Sequence, residues 1–239
     1  MSLLERERRM QYGQFCPIAK ATEILGEKWT ILIIRELIMG GRRFNELQRG
    51  LGDISPALLT SRLKSLEEQG MVAKRKVSGQ KSYEYFPTPA CLALKPVLVS
   101  LGEWGILYAQ HTTLDDYIDA EFLMLYLERS IDPDHLVGDE SVIQFRFTDL
   151  KEQQTFWLLV QGSSVDMCLK DPGKDVSVYF TSTLKTMSDV WMGEMTYTDA
   201  LRSGDLIMQG EPALTRNVRS WLRPSIFEQS PRTPLRAVG

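Results

Sequence analysis

The sequence predicts an α+β protein built from two domains, and three observations support this fold class. Its 239 residues exceed the usual size of one domain, and its 43% apolar and 25% charged residues are typical of globular proteins. Helical apolar spacing dominates the first half, whereas short alternating segments and then further helical segments fill the second. The charge divides in the same way: residues 1–111 carry 16 Lys/Arg and 11 Asp/Glu, and residues 112–239 carry 12 and 20.

The charge division also suggests different partners for the two halves. A basic half is suited to a polyanion such as DNA, and an acidic half would be repelled from it. Imbalances of this size are nevertheless common in other proteins. We place an N-terminal tail at 1–13, the first domain at 14–111, a connecting acidic helix at 112–139, the second domain at 140–230 and a C-terminal tail at 231–239.

Several protein classes lack support in the sequence. The start of the chain is charged from Glu5 to Arg9 and has no signal-peptide pattern, so we expect a cytoplasmic protein. The longest apolar stretch, near 29–34, is too short to span a membrane. Three cysteines and two histidines show no metal-ligand spacing, and common catalytic and nucleotide-binding motifs do not occur. We therefore expect no metal, no cofactor and no enzyme, although chemistry based on carboxylates alone stays open.

Helical segments with clear start and stop signals begin the first domain. Pro17 is a good first helical residue, and Gly26, Gly40 and Gly70 follow predicted helix ends. The segments are 17–25, 29–39, 43–51 and 56–69. The second is apolar nearly all round, so it belongs at the centre of a core. A short turn containing Gly52 joins the third to the fourth, which is the pattern of a helix-turn-helix.

The fourth helix carries a predicted DNA-contacting face. Leu59, Leu63 and Leu66 form one apolar stripe, and small, polar and cationic residues lie on the other side. Short side chains let the backbone approach base edges in a major groove, and cationic ones reach bases or phosphates. A merely solvated helix face would have a similar composition. The predicted contacts are Ser55, Ala57, Thr60, Ser61, Arg62 and Lys64.

A basic β-hairpin is predicted directly after this helix. Residues 71–77 and 82–86 alternate as strands around a polar turn. A basic hairpin following a helix-turn-helix is the pattern of a winged helix, and it is more specific than either part. The cations expected along the DNA backbone or minor groove are Lys74, Arg75, Lys76 and Lys81.

Successive blocks of the first domain resemble the HxlR-type regulators. The resemblance covers about residues 14–109, with the blocks in the right order. They are CPIA (16–19), GEKWT (26–30), LIIREL (32–37), RFNEL (43–47), ISPALLTSRL (54–63), LE (66–67), GMV (70–72) and YEY (83–85). The resemblance implies a winged-helix homodimer that binds a palindromic operator in double-stranded DNA. It further implies repression or activation of nearby genes, with repression favoured.

The segment after the wing is predicted to form the dimer interface. A long helix beginning after Thr88 carries more apolar residues than one small domain can cover, and Pro96 is expected to kink it. The family resemblance places a dimer interface here together with the first helix. We expect Leu98, Leu101 and Trp104 among the contacts. Two recognition helices would then meet half-sites about one helical turn apart.

Cys16 stands where some HxlR-type proteins carry a redox-sensing cysteine. Lys20 and the start of the first helix would favour its thiolate form. Many relatives with this cysteine are not known as sensors, and small buried cysteines are common. A structural role is therefore the stronger hypothesis, and redox sensing is the alternative.

The second domain is predicted to be an antiparallel sheet with helices segregated from it. An acidic amphipathic helix at 115–127 precedes strands at 142–148, 155–161, 165–169 and 176–181. Helices at 183–192, 196–203 and 211–222 follow, with a strand at 205–209 between the last two. This order of elements is typical of an α+β layer.

The second domain also resembles the end of sterol-carrier-protein-type domains, over about residues 140–227. The resemblance rests on DVSVYF (175–180), Leu184, WMG (191–193), ALRSGDL (200–206) and GE (210–211). That family encloses an apolar tunnel for lipids, which implies a pocket for a small apolar ligand. A packed core would contain the same side chains. The candidate pocket residues are Phe145, Phe147, Trp157, Met167, Phe180, Met187 and Trp191.

Together these features predict a homodimeric DNA-binding regulator whose operator affinity is tuned by a small apolar ligand in the second domain. The alternative is a ligand carrier or small enzyme in which the winged helix only scaffolds assembly.

Overall fold

The computed structural model describes residues 12–77, 82–109 and 118–230. The chain divides into two compact units, Met1–Leu98 and Val99–Gly239. The predicted domain limit at residue 111 lies outside the described residues.

Helices and a hairpin form the first unit, close to their predicted limits. The helices are α1 (Pro17–Leu25), α2 (Thr30–Ile38), α3 (Phe44–Leu51) and α4 (Pro56–Glu68). Strands β1 (Val72–Lys76) and β2 (Tyr83–Pro87) pair antiparallel. The predicted winged helix-turn-helix is confirmed, because each helix begins and ends within one or two residues of its sequence signal.

Helix α2 lies in the core of this unit. Its side chains Ile33, Ile34 and Leu37 are completely buried, in one cluster with Leu47 of α3 and Leu63 of α4. Each such side chain stabilises the fold by about 1.5–3 kcal/mol relative to exposure. The cluster therefore fixes the helix-turn-helix on a rigid base.

The helix predicted after the wing is interrupted rather than kinked. The structure has a short α5 (Pro89–Leu92), a turn, and then α6 (Lys95–Tyr108). Pro96 has no amide hydrogen to donate to the Leu92 carbonyl, and its ring crowds that carbonyl in a continuous helix. These two effects end one helix and begin another.

The segment Pro89–Tyr108 has the length and apolar composition of a membrane-spanning helix. This segment is longer than the apolar stretch near 29–34, on which the prediction of no membrane span rested. Length and composition are also those of an apolar helix that packs against another protein chain.

The second unit holds a mixed sheet with helices beside it. The strands are β3 (Glu140–Phe147), β4 (Thr155–Gln161), β5 (Ser164–Cys168), β6 (Val178–Ser182) and β7 (Leu206–Gly210). The helices are α7 (Ala120–Ser130), α8 (Leu184–Met192), α9 (Tyr197–Ser203), α10 (Pro212–Arg216) and α11 (Val218–Trp221), with a 3₁₀ turn at Pro133–His135.

The prediction of a purely antiparallel sheet is wrong. The described strands have the order β5-β4-β3-β6-β7, and β3 pairs with β6 in parallel. Two hairpins make β5 run in the direction of β3. Residues 169–177 then cross to the far side of β3, where β6 begins near the level at which β5 ended. A crossing of this kind produces a parallel pair, whereas a tight turn produces an antiparallel one.

Two predicted helices of this unit have different limits in the structure. Helix α7 begins at Ala120, where the Asp119 carboxylate accepts a 2.8 Å hydrogen bond from the Phe122 amide; residues 115–117 lie outside the described residues. The helix predicted at 211–222 is broken at Asn217. Beside this break, the buried indole of Trp221 donates to the Leu214 carbonyl at 3.0 Å. In a continuous helix, that carbonyl would accept from the backbone amide four residues later.

The last described segment packs on α6 within the second unit. The ring of Phe227 lies where a side chain on Gly102 would begin, because a Cβ there would be 2.4 Å from the ring. Ser230 donates to the Glu103 carboxylate at 3.3 Å. One side of α6 is thus covered by the protein's own chain.

Candidate nucleic-acid interface

Helix α4 presents the predicted DNA-contacting face. Ser55 caps the helix by accepting a hydrogen bond from the Leu58 amide at 3.3 Å, and Pro56 occupies the first turn. The helix buries Leu59, Leu63 and Leu66. Its remaining residues are held outward by this three-point contact with the core.

Most of the predicted contacts lie together on the exposed side. Ala57, Thr60, Ser61 and Lys64 are all exposed. The Thr60 hydroxyl donates to the Pro56 carbonyl at 2.8 Å, within the same helix. The Lys64 ammonium is 3.6 Å from Glu68, but both side chains are more than half exposed, so this pair is weak and water-accessible.

Arg62 differs from the other predicted contacts. Its Nε donates to the Lys28 carbonyl at 3.1 Å, and its guanidinium forms an ion pair with Glu27. Only 15% of its side chain is exposed. The structure therefore places Arg62 beside the turn between α1 and α2, and not with the exposed group.

That turn contains an unusual backbone conformation. Trp29 has φ of 81°, in the left-handed region, immediately before α2. A bulky residue rarely adopts this conformation, which costs about 1–3 kcal/mol. The Trp29 side chain is half-buried against the core, and the Lys28 ammonium lies 5.4 Å from its ring centre. The packing of Trp29 against the core holds this conformation in place.

The wing holds its cations against aromatic rings of the opposite strand. The Lys74 ammonium lies 4.3 Å from the ring centre of Tyr83, and the Arg75 guanidinium lies 4.8 Å from that of Phe86. Cation–π contacts orient a side chain without neutralising its charge. Lys76 is exposed at the end of β1. Residue 81, the fourth predicted cation, lies outside the described residues.

Sequence reasoning missed two arginines that join the wing to the helix-turn-helix. Arg42 lies 5.5 Å from the Phe86 ring, and its carbonyl accepts from the Tyr85 amide at 2.8 Å. Arg43 forms an ion pair with Glu84 at 3.4 Å. The consecutive arginines before α3 were the available signal. Both arginines thus connect the segment before α3 to strand β2 of the wing.

An ion pair within α2 was also missed, and its arginine links α2 to α3. Glu36 is completely buried and lies 2.8 Å from the Arg35 guanidinium, which also donates to the Gly50 carbonyl at 3.0 Å. A Cβ at Gly50 would lie 1.8 Å from the Glu36 carboxylate. Any larger residue at this position would therefore displace the buried Glu36 carboxylate, a constraint that the sequence pattern does not show.

The predicted dimer contacts fall in two environments. Two of them, Leu101 and Trp104, are about half exposed, at 47% and 56%. Val97 and Tyr108 on the same helix are exposed to a similar extent, at 55% and 47%. These residues follow the i, i+4, i+7, i+11 spacing of one helix face. Leu98 is half-buried and packs against the core of the first unit.

The cysteines have distinct surroundings. Cys16 is half-buried at the N-terminal cap position of α1. Cys91 is completely buried, and burial raises the pKa of its thiol to about 11. Burial and the nearby Asp166 carboxylate also raise the pKa of the Cys168 thiol. A raised pKa lowers thiolate reactivity, so neither of these two has the environment of a redox cysteine.

The predicted pocket residues do not all come together. Phe145, Phe147, Phe180 and Met187 are at most 1% exposed and belong to the core cluster, where Phe145 and Phe180 stack with ring centres 4.8 Å apart. Side chains so completely covered line no space that water can enter.

The remaining three predicted pocket residues are only partly buried. Met167 and Trp191 pack at the margin of the core, and the Trp191 indole donates to the Ser130 hydroxyl at 2.9 Å. Trp157 is paired with Gln144, so strand alternation directs it to the face opposite Phe145. Its inclusion in the same pocket is wrong, because apolar character alone does not identify the sheet face. Among the described residues, no group of three or more His, Cys, Asp or Glu side chains is placed to hold a metal ion.

Comparison with known proteins agrees with the geometry of the first unit. The profile of the HxlR-like helix-turn-helix family matches residues 24–113. The HTH-type transcriptional regulator YvaP of Bacillus subtilis is 35% identical over 109 residues, which are 44% of this chain and 100% of that protein. The regulator Rv3095 of Mycobacterium tuberculosis is 40% identical over 89 residues, 37% of this chain and 56% of its own length.

A solved structure is also similar. The reduced form of the transcriptional regulator YodB from B. subtilis is 29% identical and covers 41% of this chain and 99% of its own, with a TM-score of 0.37. The sequence matches span the complete length of one relative, and the named relatives are transcriptional regulators rather than enzymes. The chain therefore belongs to the HxlR-like helix-turn-helix family of transcriptional regulators.

Proposed function

We propose that the protein is a homodimeric repressor that binds a palindromic operator, with α4 in the major groove and the wing along the DNA backbone. The observation that carries this proposal is the exposed group Ala57, Thr60, Ser61 and Lys64 on a helix anchored by its opposite face. Small side chains allow close approach to base edges, and Lys64 supplies a donor for bases or phosphates. A protein acting on chromosomal DNA works in the cytoplasm of a bacterium.

The cations of the wing support phosphate binding. Lys74 and Arg75 are held by aromatic rings, and Lys76 is exposed, so their positive charge has fixed positions on one hairpin. Lys81 is assigned to the same surface from the sequence. Phosphate contacts set the affinity and the salt dependence of DNA binding, whereas base contacts set its sequence preference.

We assign the exposed face of α6 to the contact with a second copy of the chain. Val97, Leu101, Trp104 and Tyr108 form an apolar stripe on the side of α6 away from Gly102, which the chain's own Phe227 covers. Exposed apolar stripes of this kind are unfavourable in water until another surface covers them. A two-fold dimer would present two copies of α4 to two half-sites.

For the second unit we propose a sterol-carrier-like fold that binds a small apolar or amphipathic ligand and so tunes operator affinity. Its sheet and helices enclose an apolar interior, and its acidic charge is unsuited to DNA. Because Phe145, Phe147, Phe180 and Met187 are sealed, a ligand could enter only if helices moved from the sheet. The ligand could change operator affinity only as far as it binds the opened arrangement more tightly than the closed one.

A gel shift with the DNA upstream of the protein's own gene tests the DNA proposal, and light scattering at micromolar concentration tests the dimer. The DNA proposal is supported if the wild type binds the operator and Lys64→Ala binds it more weakly. A monomer that shifts no DNA would favour the alternative, a ligand carrier or small enzyme whose winged helix scaffolds assembly. Titration with a lipid extract, which should change operator affinity roughly 5- to 150-fold if coupling is typical, tests the ligand proposal.

A further inference from the structure

We propose that Arg62 is a positioning residue that sets the orientation of α4 for specific DNA, and that it makes no contact with DNA itself. The inference rests on the proposed DNA binding by α4. It arises from one juxtaposition: the guanidinium of a residue on the recognition helix is bound to Glu27 and to the Lys28 carbonyl, directly before the left-handed Trp29.

The position of Arg62 on α4 suits an anchor. At about 100° per residue, Arg62 lies beside the buried stripe of Leu59, Leu63 and Leu66, between it and the exposed face. The apolar stripe holds the helix on the core, but nondirectional contacts allow small rotations about the helix axis. A charge-assisted hydrogen bond to fixed partners is directional and restricts that rotation.

The partners of Arg62 are themselves held in place. The Thr30 amide donates to the Glu27 carbonyl at 3.1 Å, and the Ile33 amide to the Trp29 carbonyl at 2.9 Å, so the turn is continuous with α2. The half-buried Trp29 ring joins the same core as α4. The turn is therefore a fixed reference point within the first unit, close to the end of α1.

Exposure separates the two roles. The Arg62 side chain is 15% exposed and its Glu27 partner 26%, whereas Lys64 is 76% exposed. To reach a phosphate, Arg62 would have to leave Glu27 and the Lys28 carbonyl. Lys64 has only an exposed, weak pair to release.

The test compares Arg62→Ala, Glu27→Ala and the double variant in the full-length chain. Operator affinity, affinity for a duplex of unrelated sequence, and the salt dependence of both are measured. Glu67→Ala is the matched control, because it removes one exposed carboxylate from α4 without touching the pair. Lys64→Ala is the comparator for a direct contact.

If Arg62 positions the helix, Arg62→Ala and Glu27→Ala each weaken operator binding roughly tenfold or more, the usual effect of losing a hydrogen bond to a charged group. The double variant binds no more weakly than Arg62→Ala, since Arg62→Ala already removes the ion pair with Glu27 as well as the hydrogen bond to Lys28. Binding to unrelated DNA and the salt slope stay as in the Glu67→Ala control.

A direct phosphate contact gives the opposite sign for Glu27. Releasing Arg62 would then strengthen binding to both duplexes in Glu27→Ala, and Arg62→Ala would reduce the salt slope by about one. That pair of results would overturn the inference while leaving the proposed function intact. Failure of the proposed function is separate, because the wild type and Glu67→Ala would then bind neither duplex. Near-UV circular dichroism shows whether each variant is folded. If Arg62→Ala does not fold, the result for Glu27→Ala decides the test.

Discussion

Helices α4 and α6 have nearly the same length, 13 and 14 residues, but their exposed faces differ in polarity. Helix α4 buries its leucines and exposes small polar and cationic side chains. No residue of α6 is buried in the described structure, and its exposed stripe is apolar. The two exposed faces match the partners proposed for them: a polyanion for α4 and the apolar surface of a second copy for α6.

The largest expected effect is on the α6 stripe. Leu101→Asp should weaken the proposed dimer by at least about 5 kcal/mol. Leu101 is 47% exposed, so a two-fold interface would lose about half of the 1.5–3 kcal/mol burial of each of two leucine side chains, and it would also have to desolvate two carboxylates at several kcal/mol each. Sedimentation equilibrium measures the change, and operator affinity should fall with it. Val137→Asp is the matched control, since Val137 is 54% exposed in a loop. An unchanged dimer would mean that α6 does not carry the interface.

The buried face of α4 should respond in a different way. Leu63→Ala removes a side chain that is 1% exposed and should destabilise the first unit by about 2–5 kcal/mol. Thermal unfolding at several protein concentrations distinguishes the two helices. The loss in Leu63→Ala should be the same at each concentration, whereas the loss in Leu101→Ala should depend on concentration, because dimerisation stabilises by mass action. Equal concentration dependence would remove the distinction between the two faces.

The exposed face of α4 should set sequence preference. Lys64→Ala and Thr60→Ala should each weaken operator binding or alter base preference by about 1–3 kcal/mol, the value of a good base contact. Binding to a series of operators with single base changes measures the preference. Operator profiles identical to that of the wild type in both variants would place the DNA surface elsewhere.

The wing should affect affinity without affecting preference. Arg75→Ala or Lys81→Ala should weaken binding to every duplex and reduce the salt slope by about 0.9 for each lost phosphate contact. Titrations between low and physiological salt measure the slope. A change confined to particular operators would show base recognition by the wing, which would contradict the division of roles between α4 and the wing.

The smallest effect at neutral pH is expected for Cys91, within the short helix α5. Burial raises the pKa of its thiol from 9.0 to about 11, so the folded protein favours the protonated form. The resulting stability is complete below pH 9 and is lost as the pH rises toward 11. Urea unfolding of the wild type and Cys91→Ala between pH 7 and 11 gives the free energy of unfolding at each pH. The slope of this free energy against pH should differ between the two proteins only above pH 9. Parallel curves over the whole range would contradict the prediction.

Local sequence signals determined the first unit. Pro17, Pro56 and the glycines after helix ends placed α1 to α4 within one or two residues, and the outward group on α4 followed from helical periodicity. These signals act over a few neighbouring residues, because capping, proline geometry and apolar spacing are local properties. The HxlR-like family was recognisable for the same reason.

Tertiary structure decided the features that depend on distant partners. The parallel pairing of β3 with β6 depends on where the crossing at 169–177 goes, which alternation within each strand does not specify. Arg62 is a cation on the recognition helix, which favours a DNA contact, but it is bound to Glu27 and to the Lys28 carbonyl, more than 30 residues away in the sequence. The same limit applies to Trp157 and Gly50, whose roles follow from the opposite sheet face and from the Glu36 carboxylate. Sequence periodicity shows that a side chain is apolar or charged, and only the folded chain brings it the partner that determines what it does.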